Sequence, residues 1–331
     1  PKKAGLSELT SGLMNEGTQN YTTEQISAEL DKLGSSIAFD GGRENTTVEI
    51  QSLTKNIDAT LKLLEEKLFR PRFDAADFKR VKKQYIESLA NDRKSADATA
   101  DKLYSSILFG NTILGAYPTE KNIRKFSLDD VKAYYQQYYS PSVSSFVIVG
   151  DISEAEILPK LAFLEKWESK EVKLPEITVT PSVLPTTIYI ANKDNAPQSV
   201  FKIGNTGLPF DATGDYFKAN VMNFALGGAF NSRLNLNLRE EKGFTYGIRS
   251  GFQGTKYPGT YTIGASVRRT ATDSSITEVM REIKEYKEKG LTEEEVAFTR
   301  NSILNSEALR YESPFQKAMF LSRIVQYDLP T

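Results

Sequence analysis

Two residue types are missing altogether: the 331-residue chain contains no histidine and no cysteine. It therefore has no side chain whose ordinary pKa lies near neutrality, no thiolate nucleophile, no disulfide and no Cys or Cys/His zinc site. A Ser-His-Asp triad cannot be assembled within it. Chemistry is left to carboxylates, lysine, arginine, tyrosine and hydroxyls, which admits a glycosidase-like carboxylate pair or a Mg/Ca site and disfavours most hydrolase mechanisms. Excess charge is lacking too. With 42 basic and 43 acidic residues the formal net charge is −1, so neither nucleic acid nor an anionic membrane is an expected partner. No run of 18 apolar residues occurs, so no transmembrane helix is expected, and the Pro1-Lys2-Lys3 start has no apolar signal-peptide core. The compartment stays open between a cytosol and a periplasm, the latter slightly favoured, because absent cysteine fits both.

What is present is a globular composition, 39% hydrophobic and 26% charged, at about twice the usual domain length of roughly 150 residues. Apolar residues at helical spacing predict helices over Gly5–Asn15, Thr22–Leu33, Ile57–Phe69, Asp74–Leu89, Leu103–Phe109 and Leu128–Tyr139. Alternation around Asp40-Gly41-Gly42 predicts a hairpin of Ser36–Phe39 and Thr46–Leu53, and Ser145–Gly150 reads as a short buried strand. Pro175, Pro181 and Pro185 then punctuate an extended stretch. The expected organisation is a first α+β domain at residues 1–170, a linker at 171–185 and a second α+β domain at 186–331.

The second half repeats the order of the first. Helices are predicted at Tyr216–Leu226, Arg233–Glu241, Ser274–Lys289, Thr292–Arg310 and Pro314–Tyr327, with strands at Tyr246–Phe252 and Tyr261–Ser266. Thr47-Val48-Glu49-Ile50 before one helix corresponds to Thr260-Tyr261-Thr262-Ile263 before another, and helices opening behind Asp74 and Thr292 follow in each half. The second copy has no counterpart of Leu128–Gly150 and the chain opens directly in a helix, so truncation at both ends is expected.

One cluster stands out: Leu226-Gly227-Gly228-Ala229-Phe230-Asn231-Ser232-Arg233-Leu234, then Leu238-Arg239-Glu240-Glu241-Lys242-Gly243-Phe244-Thr245-Tyr246. It is no phosphate loop, since it lacks G-x-x-x-x-G-K-[ST] and a preceding strand. A helix-helix turn explains the glycines equally well. Arg239 and Tyr246 are separated by the break at Gly243, so both can project toward one point, and an arginine fork with a phenol suits a polarised carbonyl or a carboxylate. A surface ion pair and a half-buried strand tyrosine are the plainer alternatives.

This block resembles the Arg/Tyr segment of the pitrilysin/insulinase family of zinc metallopeptidases, the inverzincins, in which a Gly-Gly turn, Ser-Arg-Leu, Leu-Arg-Glu and Gly-x-x-Tyr recur in that order. Ala4-Gly5-Leu6 and Glu16-Gly17-Thr18 likewise flank the segment where the family has H-x-x-E-H. The resemblance implies two homologous domains, each a mostly antiparallel sheet packed against helices, in a LuxS/processing-peptidase-like metallopeptidase fold. Under that correspondence Glu8 and Gly12 stand at the two histidine positions, Ser11 at the general-base glutamate, and Glu87 at the third ligand, with Arg80 where active members keep another acid. Glu8 and Glu87 are also readable as ordinary helix-surface glutamates, and two carboxylates without imidazoles make a poor zinc site. No metal or other cofactor is expected in this chain, with zinc expected in a partner. The role implied is that of a zinc-less subunit or half which faces a zinc-bearing one and holds unfolded peptide substrate through Arg239 and Tyr246, with Gly227, Gly228, Asn231 and Ser232 beside them. A structural subunit without proteolytic role, like the core proteins of respiratory complex III, is the alternative.

Overall fold

A computed structural model describes residues 3–174, 176–179 and 185–329. In chain order its elements are α1 (Leu6–Met14), α2 (Thr23–Leu33), β1 (Ser36–Gly41), β2 (Thr46–Gln51), α3 (Ile57–Phe69), α4 (Ala75–Asp92), α5 (Ala96–Phe109), α6 (Glu120–Lys125), α7 (Leu128–Tyr138), α8 (Glu154–Ile157), β3 (Gln198–Thr206), α9 (Asp215–Asn223), α10 (Arg233–Asn235), β4 (Thr245–Gln253), β5 (Thr260–Arg268), α11 (Thr272–Lys289), α12 (Glu293–Leu309) and α13 (Pro314–Tyr327). They form two units. One comprises residues 1–91, 117–176 and 317–325, the other 92–116, 177–316 and 326–331. The expected linker at 171–185 lies partly outside the described residues, Pro175 and Pro181 included.

In the first unit, α2 begins at a capping box in which Thr22 Oγ1 accepts from Gln25 N–H and the Gln25 side chain accepts from Thr22 N–H, and it stops at Gly34 in the left-handed region. The hairpin pairs β1 and β2 antiparallel, with Phe39 opposite Val48, and turns Ile37 and Phe39 inward. Those two side chains join Leu6, Leu9, Leu13 and Met14 of α1, Leu61, Leu64 and Leu68 of α3, and Val131 of α7 in one core. Asn15 fixes α1 to the hairpin: its amide nitrogen donates to Phe39 O at 2.8 Å and its oxygen accepts Phe39 N–H at 2.8 Å. Buried Lys67 closes the other side of that helix end, its Nζ donating to the carbonyls of Met14, Asn15 and Glu16 at 3.3, 2.8 and 3.2 Å.

The expected buried strand at Ser145–Gly150 is not formed. These residues pair with no described strand, and Phe146 and Ile148 are each 42% exposed. A continuous apolar run becomes a buried strand only when a neighbour satisfies its backbone, and the two-stranded sheet ends at β1 and β2.

The second unit is built on a three-stranded antiparallel sheet in the order β3-β5-β4. Ile248, Ile263 and Val267 face Leu226, Leu234, Leu238 and Val279 from the helices. Helix α5, although encoded between α4 and α6, belongs here. Tyr104 Oη donates to Tyr261 O at 2.9 Å and accepts from Thr262 Oγ1 at 3.1 Å, and Asp101 pairs with Lys202 of β3 at 2.8 Å. The order strand, helix, helix recurs as β2-α3-α4 and β5-α11-α12, the repeat expected from sequence.

Candidate functional site

The Gly-Gly segment is more unusual than a helix-helix turn. Phe224–Gly228 and Leu236–Glu241 both form π-helical turns, one continuing α9 and the other continuing α10. Such turns are rare and frequent at functional sites. Gly227 is required by packing: a Cβ there would lie 2.2 Å from Ser250 Oγ and 2.9 Å from Leu234 Cδ1. After the second turn Gly243 takes φ +61, which lets the chain reverse into β4.

Arg233, of the Ser-Arg-Leu motif, is a structural anchor. It grips Glu295 of α12 with both Nε and Nη2, donates from Nη2 to Gly290 O at 2.9 Å, and lies over the Tyr286 ring at 4.8 Å. The guanidinium in turn holds the Glu295 carboxyl below the usual carboxylate range. Fixing α10 against α11 and α12 in this way sets the direction in which the next turn carries Arg239.

Arg239 extends over the ring of Phe230, with Cζ 4.4 Å from its centroid, and pairs with Glu240. Tyr246 lies on β4, an edge strand, where the register shifts between Thr245 and Ile248. Thr245 wires this bulge, its Oγ1 donating its one hydrogen to Ser266 O at 2.7 Å, with Gly247 O at 2.9 Å as the competing acceptor, and accepting Gly247 N–H at 3.1 Å. The result is a tyrosine 91% exposed, the opposite of the half-buried strand residue that its setting suggested. Of the four loop residues, Gly228 and Asn231 are exposed, whereas Gly227 and Ser232 are buried and Ser232 Oγ has no hydrogen-bond partner.

Two buried asparagines that the sequence did not single out connect these parts. Asn235 bridges Phe230 O and Ile248 N–H, while Asn223 Nδ2 donates to Ser250 O at 2.9 Å and its Oδ1 accepts from Ser250 Oγ at 2.5 Å. Isolated asparagines in apolar helices carry no spacing signal. Only the bulge in β4, which leaves the Ile248 amide without a strand partner, explains why one is needed.

In the first unit, Glu8 faces Arg43 and Asp40 from the hairpin, and burial raises its carboxyl pKa despite a backbone hydrogen bond and the Arg43 charge. Ser11 is buried 3.5 Å from Tyr139 Oη. Gly12 lies against α4, where an added Cβ would already stand 3.0 Å from Val81 Cγ1. Glu87 is exposed and pairs with Lys83 on its own helix at 3.7 Å. Arg80 pairs with Glu16 at 2.5 Å and with Asp77 at 3.2 Å. The fold thus gives Glu8 and Glu87 different partners, and among the described residues no three His, Cys, Asp or Glu side chains gather in a metal-binding group.

Comparison with known proteins gives two matches along the chain. The family model described as insulinase (peptidase family M16) matches residues 1–116, and the one described as peptidase M16 inactive domain matches residues 125–303. The chain belongs to peptidase family M16. Among its M16 relatives, the "Non-peptidase homolog YmxG" of Helicobacter pylori is 28% identical over 319 residues, covering 93% of this chain and 72% of that protein. The "Uncharacterized zinc protease YmxG" of Bacillus subtilis is 24% identical over 320 residues, covering 96% of this chain and 77% of that one. The solved structure of a peptidase M16 inactive domain from Pseudomonas fluorescens superimposes with a TM-score of 0.83 at 21% identity, over 99% of this chain and 79% of that one.

Within the M16 frame the residues present do not fit zinc. At the positions that the resemblance aligns with the zinc motif stand a carboxylate (Glu8), a hydroxyl (Ser11) and no side chain (Gly12), and the exposed Glu87 is paired with Lys83, a set without imidazole or general base. This chain is an inactive-type M16 homologue.

Proposed function

We propose that this chain is the zinc-less member of a two-component M16 metalloendopeptidase and supplies Arg239 and Tyr246 to a substrate peptide held against a zinc-bearing partner. The observation that carries this reading is Tyr246, an almost fully exposed phenol on a bulged edge strand that Asn235 ties to Phe230, the ring under the Arg239 guanidinium.

The partner would supply the metal and the water it activates. On this side the Arg239 guanidinium and the Tyr246 hydroxyl donate hydrogen bonds to the substrate carbonyl and strengthen them as negative charge develops on its oxygen. Phe230 keeps the guanidinium oriented without neutralising it. Asn235, through the Phe230 carbonyl and the Ile248 amide, fixes the loop to the strand. Gly228 and Asn231, exposed at the same loop, are positioned to contact peptide backbone.

The test is reconstitution. Mixed with a zinc-bearing M16 subunit from the same genome, the chain should restore cleavage of an unfolded fluorogenic peptide that neither subunit cleaves alone. Arg239→Ala and Tyr246→Phe should each lower kcat about a hundredfold, the usual worth of one oxyanion donor. Full activity in both variants, or a stable complex that gains no cleavage, would replace this reading with that of a structural subunit.

A further inference from the structure

A second guanidinium belongs to this surface. In a regular strand, residues three apart face opposite sides, yet Tyr246 and Arg249 are both exposed because the bulge between Thr245 and Ile248 shifts the phase of β4. The Arg249 guanidinium lies over the same Phe230 ring that Arg239 covers, with Cζ 5.8 Å from the centroid. Arg239 already has a carboxylate in Glu240, whereas none of the described carboxylates pairs with Arg249. Phe230 itself is 53% exposed, an apolar platform between two cations.

We infer that Arg249 is a specificity residue, selecting peptide segments that carry an acidic side chain close to the carbonyl held by Arg239 and Tyr246; this rests on the substrate-holding role proposed above. Both guanidinium carbons lie within the stated distances of one centroid, so they are at most about 10 Å apart. Side chains on one face of an extended chain repeat about every 7 Å. A peptide whose backbone carbonyl meets Arg239 therefore brings an aspartate or glutamate one or two residues away within reach of Arg249. The ring contact orients Arg249 but leaves its charge uncompensated, so a carboxylate gains a charge-assisted, bidentate partner where a neutral side chain gains none.

The decisive measurement uses the full chain and two fluorescein-labelled peptides, identical and unstructured except that one carries glutamates where the other carries glutamines. By fluorescence anisotropy at low salt the glutamate peptide should bind about three to ten times more tightly, as expected for a partly exposed charged pair. Arg249→Gln should bring the two affinities to within about twofold, Arg249→Lys should retain part of the preference, and added salt should shrink it in the wild type. A preference that survives in Arg249→Gln, no preference in the wild type, or no binding of either peptide would each overturn the inference. The substrate-holding reading fails separately, when reconstituted cleavage is indifferent to Arg239→Ala and Tyr246→Phe.

Discussion

Asn235 ties the backbone of Phe230 to that of Ile248: its Nδ2 donates to the Phe230 carbonyl at 2.7 Å and its Oδ1 accepts the Ile248 amide at 3.1 Å. One buried side chain thus joins the platform under Arg239 to the strand that presents Tyr246. Asn235→Leu removes both bonds and leaves the buried Ile248 N–H and the part-buried Phe230 C=O without them, a loss of about 1–3 kcal/mol. Urea unfolding should show this as a lower midpoint with unchanged slope, and the Ile248 amide should exchange its hydrogen faster than its neighbours in β4.

Gly227 and Gly228 are adjacent but not equivalent. Gly227→Ala drives a Cβ to 2.2 Å from Ser250 Oγ, an atom already engaged by Asn223, while at Gly228 the nearest contact would be the Asn223 carbonyl at 3.3 Å. Gly227→Ala should therefore destabilise by roughly 1–3 kcal/mol and Gly228→Ala by clearly less. Thermal unfolding of the two variants side by side checks the order.

The Arg233–Glu295 pair carries a pH signature. Arg233 holds the Glu295 pKa below its ordinary 4.5, so the stabilisation is complete above that value and is lost as pH falls through the lower, folded-state value. Arg233→Met should cost on the order of 2 kcal/mol at neutral pH, and the difference from wild type should narrow toward acid. Denaturation midpoints from neutral pH down to below pH 4 would register it.

Lys67 acts in the opposite range. Burial lowers its pKa to about 8 from 10.5, against the opposing pull of the Glu16 charge. Between those values the unfolded chain binds a proton that the folded chain does not, so stability rises with pH across this window. The rise is as much as roughly 3 kcal/mol. Subtracting the profile of Lys67→Met from that of wild type between pH 7 and 11 isolates the effect, and a flat difference would show that Lys67 titrates normally.

Helix positions were legible because their signals are local. The apolar spacing of Leu6, Leu9 and Leu13 and of Ile26, Leu30 and Leu33, and the stop at Gly34, each act within a few residues and hold in the fold. Ser145–Gly150 misled because a short apolar run fits a buried strand but says nothing of the neighbour that strand would need. The exposure of Tyr246 was hidden for a related reason: it depends on a bulge wired by Thr245 to Ser266 O across the sheet. The absence of histidine was plain in the sequence, yet that Val81 packs against Gly12 could only be seen once α4 was placed against α1.

Helix α5 also bears on how the chain is made. Tyr104 finds its acceptor at Tyr261, 157 residues later, so during synthesis the helix leaves the ribosome long before the sheet it covers exists. Contacts this distant in sequence slow folding and leave surface open in the meantime. The carboxyl-terminal unit cannot be completed from carboxyl-terminal sequence, and a nascent chain stalled before β5 would present α5 to whatever chaperone waits at the exit.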